Sequence, residues 1–150
     1  MSVKDRLTED MKQAMKDREA GKLRLSVIRM ARGSIKNVEI DRRKELSDDE
    51  VLDVLAKEVK LRRDAAEEFK KGNRQDLVDT VGQEIAVLMQ YLPQQLSEAE
   101  VRALVHEAVA ATGAAEAKDM GKVMAALMPK VKGRADGKLV NTLVKEMLSK

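Results

Sequence analysis

Residues 120–150 read MGKVMAALMPKVKGRADGKLVNTLVKEMLSK. This stretch predicts two short helices joined by a basic elbow, Pro129-Lys130-Val131-Lys132-Gly133-Arg134-Ala135-Asp136-Gly137-Lys138. In the second helix Leu139, Val140, Leu143, Val144, Met147 and Leu148 return at helical spacing. Asp119 and Asp136 each stand where a carboxylate accepts from the free N–H groups of a first helical turn. Gly133 suits a positive φ at little steric cost. Pro129 has no amide hydrogen and hinders regular helix, so a bend is expected nearby. Between these fixed points lie Lys130, Lys132, Arg134 and Lys138, opposed only by Asp136. A specified backbone carrying cations points to an anionic partner.

The same helical grammar runs through the rest of the chain. Ser2-x-x-Asp5, Ser47-x-x-Glu50 and Ser97-x-x-Glu100 are capping boxes, each opening an apolar-periodic run. The first helix turns Val3, Leu7, Met11, Ala14 and Met15 to one face, and Lys16–Gly21 breaks the pattern. A second, near 22–40, turns Leu23, Val27, Met30, Ile35 and Val38 inward. Gly33 inside it suggests close packing against a neighbour, because glycine in a helix costs about 1 kcal/mol against alanine. The third runs from Val51 past Phe69 to Gly72, a stop signal. The fourth runs from Gln75 towards Leu92-Pro93, and Gly113 closes the fifth. The predicted fold is all-α: a four-helix bundle over residues 1–92, then a three-helix unit over 97–150, with the boundary at Pro93–Leu96.

Composition narrows the chemistry. Cysteine is absent, so no disulfide framework, thiol nucleophile or thiolate metal site is available. His106 is the single histidine and has no nucleophile implied beside it. No His-Glu-x-x-His, Walker A or Gly-x-Gly-x-x-Gly pattern occurs, so neither catalytic residues, metal nor cofactor are expected. The N-terminus lacks a signal-peptide core and no apolar run reaches membrane-spanning length, which leads to the expectation of a cytoplasmic, non-membrane protein.

Charge is unevenly placed. From Lys118 to Lys150 eight lysines and arginines face three acids, a balance of +5. The whole chain carries +3, which leaves −2 on the preceding residues. A basic end on a mildly acidic body favours phosphate backbone as a partner. With only two aromatics, Phe69 and Tyr91, base stacking is disfavoured, so recognition would rest on phosphate contacts from Lys130, Lys132, Arg134 and Lys138, with Gly133 allowing close approach. A tight turn alone would also account for Gly133 and Gly137. A secondary basic stripe, Arg24, Arg29, Arg32 and Lys36, is a weaker candidate, extended by Arg62-Arg63 if the helices lie adjacent. Pairing with Glu39 or Glu58 is the competing reading.

Met120-Gly121-Lys122-Val123-Met124 and Met128–Asn141, together with Leu25–Met30, Ile35-Lys36-Asn37 and Tyr91–Ser97, resemble the GatB/YqeY family, in particular its stand-alone YqeY-like members. The resemblance covers essentially the whole chain. It implies a four-helix plus three-helix fold and kinship with the tail of the B subunit of the glutamine-dependent aspartyl/glutamyl-tRNA amidotransferase, which helps hold tRNA. By that likeness Lys130, Lys132, Gly133, Arg134, Ala135 and Asp136 fall on the tail's glycine-basic-alanine-acid segment. The implied partners are tRNA or another structured RNA, amidotransferase subunits or an aminoacyl-tRNA synthetase. The implied label is carbon–nitrogen ligase with glutamine as amido donor. The kinase-like catalytic domain of that subunit has no counterpart in these residues, so the expected role is a non-catalytic RNA-binding accessory module. The alternatives are a helper of the amidotransferase and a helical protein-interaction module.

Overall fold

A computed structural model describes residues 1–149. Their helices are α1 (Val3–Lys16), α2 (Lys22–Arg42), α3 (Asp48–Lys71), α4 (Gln75–Met89), α5 (Glu98–Thr112), α6 (Met120–Val131) and α7 (Gly137–Leu148). Two short 3₁₀ turns, Arg18–Gly21 and Ala117–Asp119, complete the regular structure, and the described residues contain no strand. The fold is all-α, as the apolar spacing predicts. The chain forms two compact units, Met1–Leu92 and Pro93–Lys150.

In the first unit α1 packs on α2 and α3 on α4. Leu7, Ile28, Val51 and Leu55 are completely buried at its centre, with Val27, Ala31, Val59 and Leu88 around them. Each such aliphatic side chain withdrawn from water contributes roughly 1.5–3 kcal/mol. All three predicted capping boxes form: Ser2, Ser47 and Ser97 accept from the amides of Asp5, Glu50 and Glu100, whose carboxylates return to the cap amides. The turn joining α1 to α2 is closely packed. Arg18 adopts φ 51°, and Gly21 is pressed against α1 so closely that a Cβ there would lie 2.2 Å from the Ala14 carbonyl oxygen.

Several local expectations change. Met30 and Met15 are half-exposed, not inward, since Ala31 and Ile28 occupy the buried face of α2, and Ala14 that of α1. Gly33 is exposed and nothing would lie within 4 Å of a Cβ on it, so no neighbouring element explains it. Arg62 does not join the basic stripe. It turns inward, 8% exposed, with Nη1 2.7 Å from Glu58 and Nε 3.8 Å from Glu84.

In the second unit α5 packs on α6 and α7 around Val101, Val105, Val123, Leu127, Val140 and Val144. Pro129 does not end α6, which continues to Val131. Gly133 provides the reversal instead, at φ 72°. Asp119 caps differently from expectation. Its carboxylate accepts from the amides of Ala115 and Glu116 upstream, which hold its pKa below the ordinary range, and makes no cap hydrogen bond to α6.

Candidate functional site

The elbow lies between α6 and α7 and is built almost wholly from backbone hydrogen bonds. Lys132 N–H donates to Met128 O, and both Arg134 and Ala135 N–H donate to Val131 O. These bonds satisfy the carbonyls left open at the end of α6. Asp136 then starts α7 as the sequence predicts, its carboxylate accepting from Lys138 N–H at 3.1 Å. Ala135 packs on the core of the unit, anchoring the turn from below.

Pro93–Leu96 is bonded directly to this turn. Leu96 N–H donates to Arg134 O at 2.8 Å, and the Gln95 side-chain amide donates to Gly133 O at 2.9 Å. In return Arg134 Nε donates to Gln94 O at 3.3 Å. The Arg134 guanidinium is thereby oriented by backbone, and no carboxylate among the described residues lies within ion-pair distance of it or of Lys130. Lys130, Lys132 and Lys138 are exposed, and the space around Gly133 and Gly137 is open. Orientation of Arg134 by Gln94–Leu96 had no sequence signal, because it depends on a contact spanning 40 residues.

The secondary stripe divides. Arg24 is bound by Asp17, Nη2 to Oδ2 at 2.7 Å, a contact that lowers the Asp17 pKa. Arg29, Arg32 and Lys36 remain exposed and share the wall of a cleft of about 520 Å³ between α1 and α2. Lys4 and Glu39, 2.7 Å apart, also line it. Their hydrogen bond raises the Lys4 pKa and lowers that of Glu39, which also accepts from Leu46 N–H.

A family model described as "Yqey-like protein" matches residues 4–148. The chain belongs to the YqeY-like family. Among curated relatives, "Altered inheritance of mitochondria protein 41, mitochondrial" of Lachancea thermotolerans is 40% identical over 102 residues, covering 66% of this chain and 54% of the relative. The protein of that name from Kluyveromyces lactis is 40% identical over 86 residues, 57% of this chain and 45% of the relative. That of Pyrenophora tritici-repentis is 31% identical over 150 residues, 97% and 81% respectively. The chain thus spans about half the length of the first two relatives. These names overturn the cytoplasmic expectation, since each of the three relatives is called mitochondrial. No helix among the described residues is long and apolar enough to cross a membrane.

Proposed function

We propose that this YqeY-like chain is a non-catalytic accessory module that binds tRNA or another structured RNA through the elbow between α6 and α7. The observation carrying this reading is the fixed placement of Arg134 by Gln94 O in a turn that follows exposed Lys130, with no carboxylate among the described residues within ion-pair reach of either. A guanidinium held by Gln94 O keeps its two Nη groups for the two-pronged hydrogen bonding that phosphate oxygens accept. Exposed Lys132 and Lys138 add positive potential at the same corner, and the open space beside Gly133 and Gly137 admits a sugar–phosphate backbone.

Filter binding of tRNA over a salt series tests the reading. Each phosphate neutralised contributes about 0.7–0.9 to the slope of log affinity against log salt. Lys130→Ala with Arg134→Ala lowers that slope and weakens every tRNA species alike, because phosphate contacts carry little sequence information. Absence of binding at low salt defeats the proposal. The likeness to the amidotransferase tail supports a finer version, a helper in amide transfer from glutamine to misacylated tRNA. Stimulation of that transfer by the chain, in the presence of the catalytic subunits only, is its signature.

A further inference from the structure

The cleft between α1 and α2 combines three features that the elbow reading does not use. Leu7 and Ile35 back it from the core, 0% and 3% exposed. Its rim carries Arg29, Arg32 and Lys36, one α2 face at spacings of three and four. Among the described residues none of these three makes an ion pair, and the nearby acid, Glu39, is engaged by Lys4 at 2.7 Å and by Leu46 N–H at 2.9 Å. Like charges gathered on one rim repel one another, so the arrangement stabilises an anion placed among them.

Gly33 is the independent observation. It occupies the interior of a 21-residue helix without a positive φ, and none of the described residues outside its own helix turn comes within 4 Å of where its Cβ would be. Alanine there would favour the helix by about 1 kcal/mol. The chain itself gives no packing reason for the glycine, yet Gly33 lines the cleft and sits between Arg32 and Lys36. The missing side chain leaves open the space beside the rim cations.

We infer that this cleft is a binding site for a phosphate monoester of nucleotide size, with its phosphate on Arg29, Arg32 and Lys36 and its less polar body in the open space beside Gly33 and Thr8. Two guanidiniums match phosphate oxygens in forked pairs, and three cations suit a dianion better than a single carboxylate. A volume of about 520 Å³ suits a small ligand of this kind. The phosphate monoester has two natural sources, a free nucleoside monophosphate and the phosphorylated end of an RNA strand. The inference stands without the elbow reading, because the site shares no residue with it.

The test is amide-resolved NMR titration of the full chain with adenosine monophosphate, inorganic phosphate, and a short RNA carrying either a 5′-phosphate or a 5′-hydroxyl. The nucleotide is expected to shift the amides around Gly33 and Lys36 saturably, and inorganic phosphate to shift the same amides more weakly. Arg29→Gln with Arg32→Gln lowers affinity by roughly tenfold or more, the equivalent of one charge-assisted hydrogen bond. Gly33→Leu abolishes the shifts while the melting temperature is held, and Gly33→Ala retains them. Tighter binding of the phosphorylated RNA than of the nucleotide, dependent on Arg29 and Arg32, assigns the source to an RNA end; the reverse order assigns it to free nucleotide. No saturable shift by the nucleotide or the phosphorylated RNA, or shifts unchanged in the Arg29→Gln/Arg32→Gln and Gly33→Leu variants, overturns the inference. The elbow variant Lys130→Ala/Arg134→Ala leaves nucleotide binding unchanged, which separates the two sites.

Discussion

The side-chain amide of Gln95 donates to the carbonyl of Gly133 at 2.9 Å and to that of Pro93 at the same distance. One amide group therefore holds both the segment entering the second unit and the turn between α6 and α7. It fixes the elbow without contributing charge.

Gln95→Ala should consequently separate geometry from electrostatics. Loss of these bonds destabilises the unit by about 1 kcal/mol and speeds amide exchange at Leu96, whose N–H is bonded to Arg134 O. In RNA binding, affinity falls while the salt slope is unchanged, because no cation is removed. A reduced slope would mean that Gln95 acts through the number of phosphate contacts instead.

Two glycines provide opposite stability tests. Gly21→Ala forces a Cβ to within 2.2 Å of the Ala14 carbonyl oxygen, a backbone atom that cannot swing aside. A loss of about 3 kcal/mol is expected. Gly33→Ala meets nothing and raises stability by about 1 kcal/mol. Urea unfolding with unchanged m-values distinguishes these effects from changes in compactness.

The buried guanidinium of Arg62 depends on Glu58. Glu58→Ala leaves Glu84, 3.8 Å from Nε, as the remaining ion-pair partner among the described residues, and costs about 3 kcal/mol. Glu58→Leu combined with Arg62→Met replaces the pair with apolar volume and costs much less. Equal losses in the single and the double variant would show that the charge pair itself is not the source.

Acid stability should carry the signature of Glu50. Hydrogen bonding from Lys44 first, then from the Ser47 amide, lowers its carboxyl from 4.5 to about 2. A carboxyl depressed on folding stabilises the fold fully above its unfolded value and loses that contribution as pH falls from 4.5 towards about 2. Glu50→Gln should flatten this part of a melting-temperature profile. Added salt should shrink the difference, since the Lys44 and Arg42 partners are exposed.

What the sequence reveals and what it hides divide along a physical line. The Ser2, Ser47 and Ser97 caps, the Asp136 cap, the Gly133 reversal and the helical class depend on residues within a few positions of one another, so they are readable in order. Gly21 against Ala14, Arg62 between Glu58 and Glu84, and Gln94–Leu96 on the elbow arise from packing between elements and leave no periodic trace. Pro129 shows local preference giving way: α6 continues one turn past Met128, while buried Leu127 and Val131 hold that turn to the core. The basic stripe reads as one surface in sequence, yet Arg24 turns to Asp17 while Arg29, Arg32 and Lys36 line the cleft. Partner choice among charged side chains is decided by neighbours that spacing alone does not specify.

Tyr91 is the protein's single tyrosine, and there is no tryptophan. It is buried in the first unit, its hydroxyl hydrogen-bonded to Asp10 and its ring beneath the Arg6 guanidinium. Burial, then the bond to Asp10, raises its pKa above the ordinary 10.0. Nature has thereby left an intrinsic reporter in one half and none in the other. Near-ultraviolet absorbance follows Met1–Leu92 alone, whereas backbone dichroism sums over both halves, so any lag between the two melting traces dates the C-terminal half separately. Ultraviolet phenolate absorbance that develops just above pH 10 reports opening of the N-terminal half.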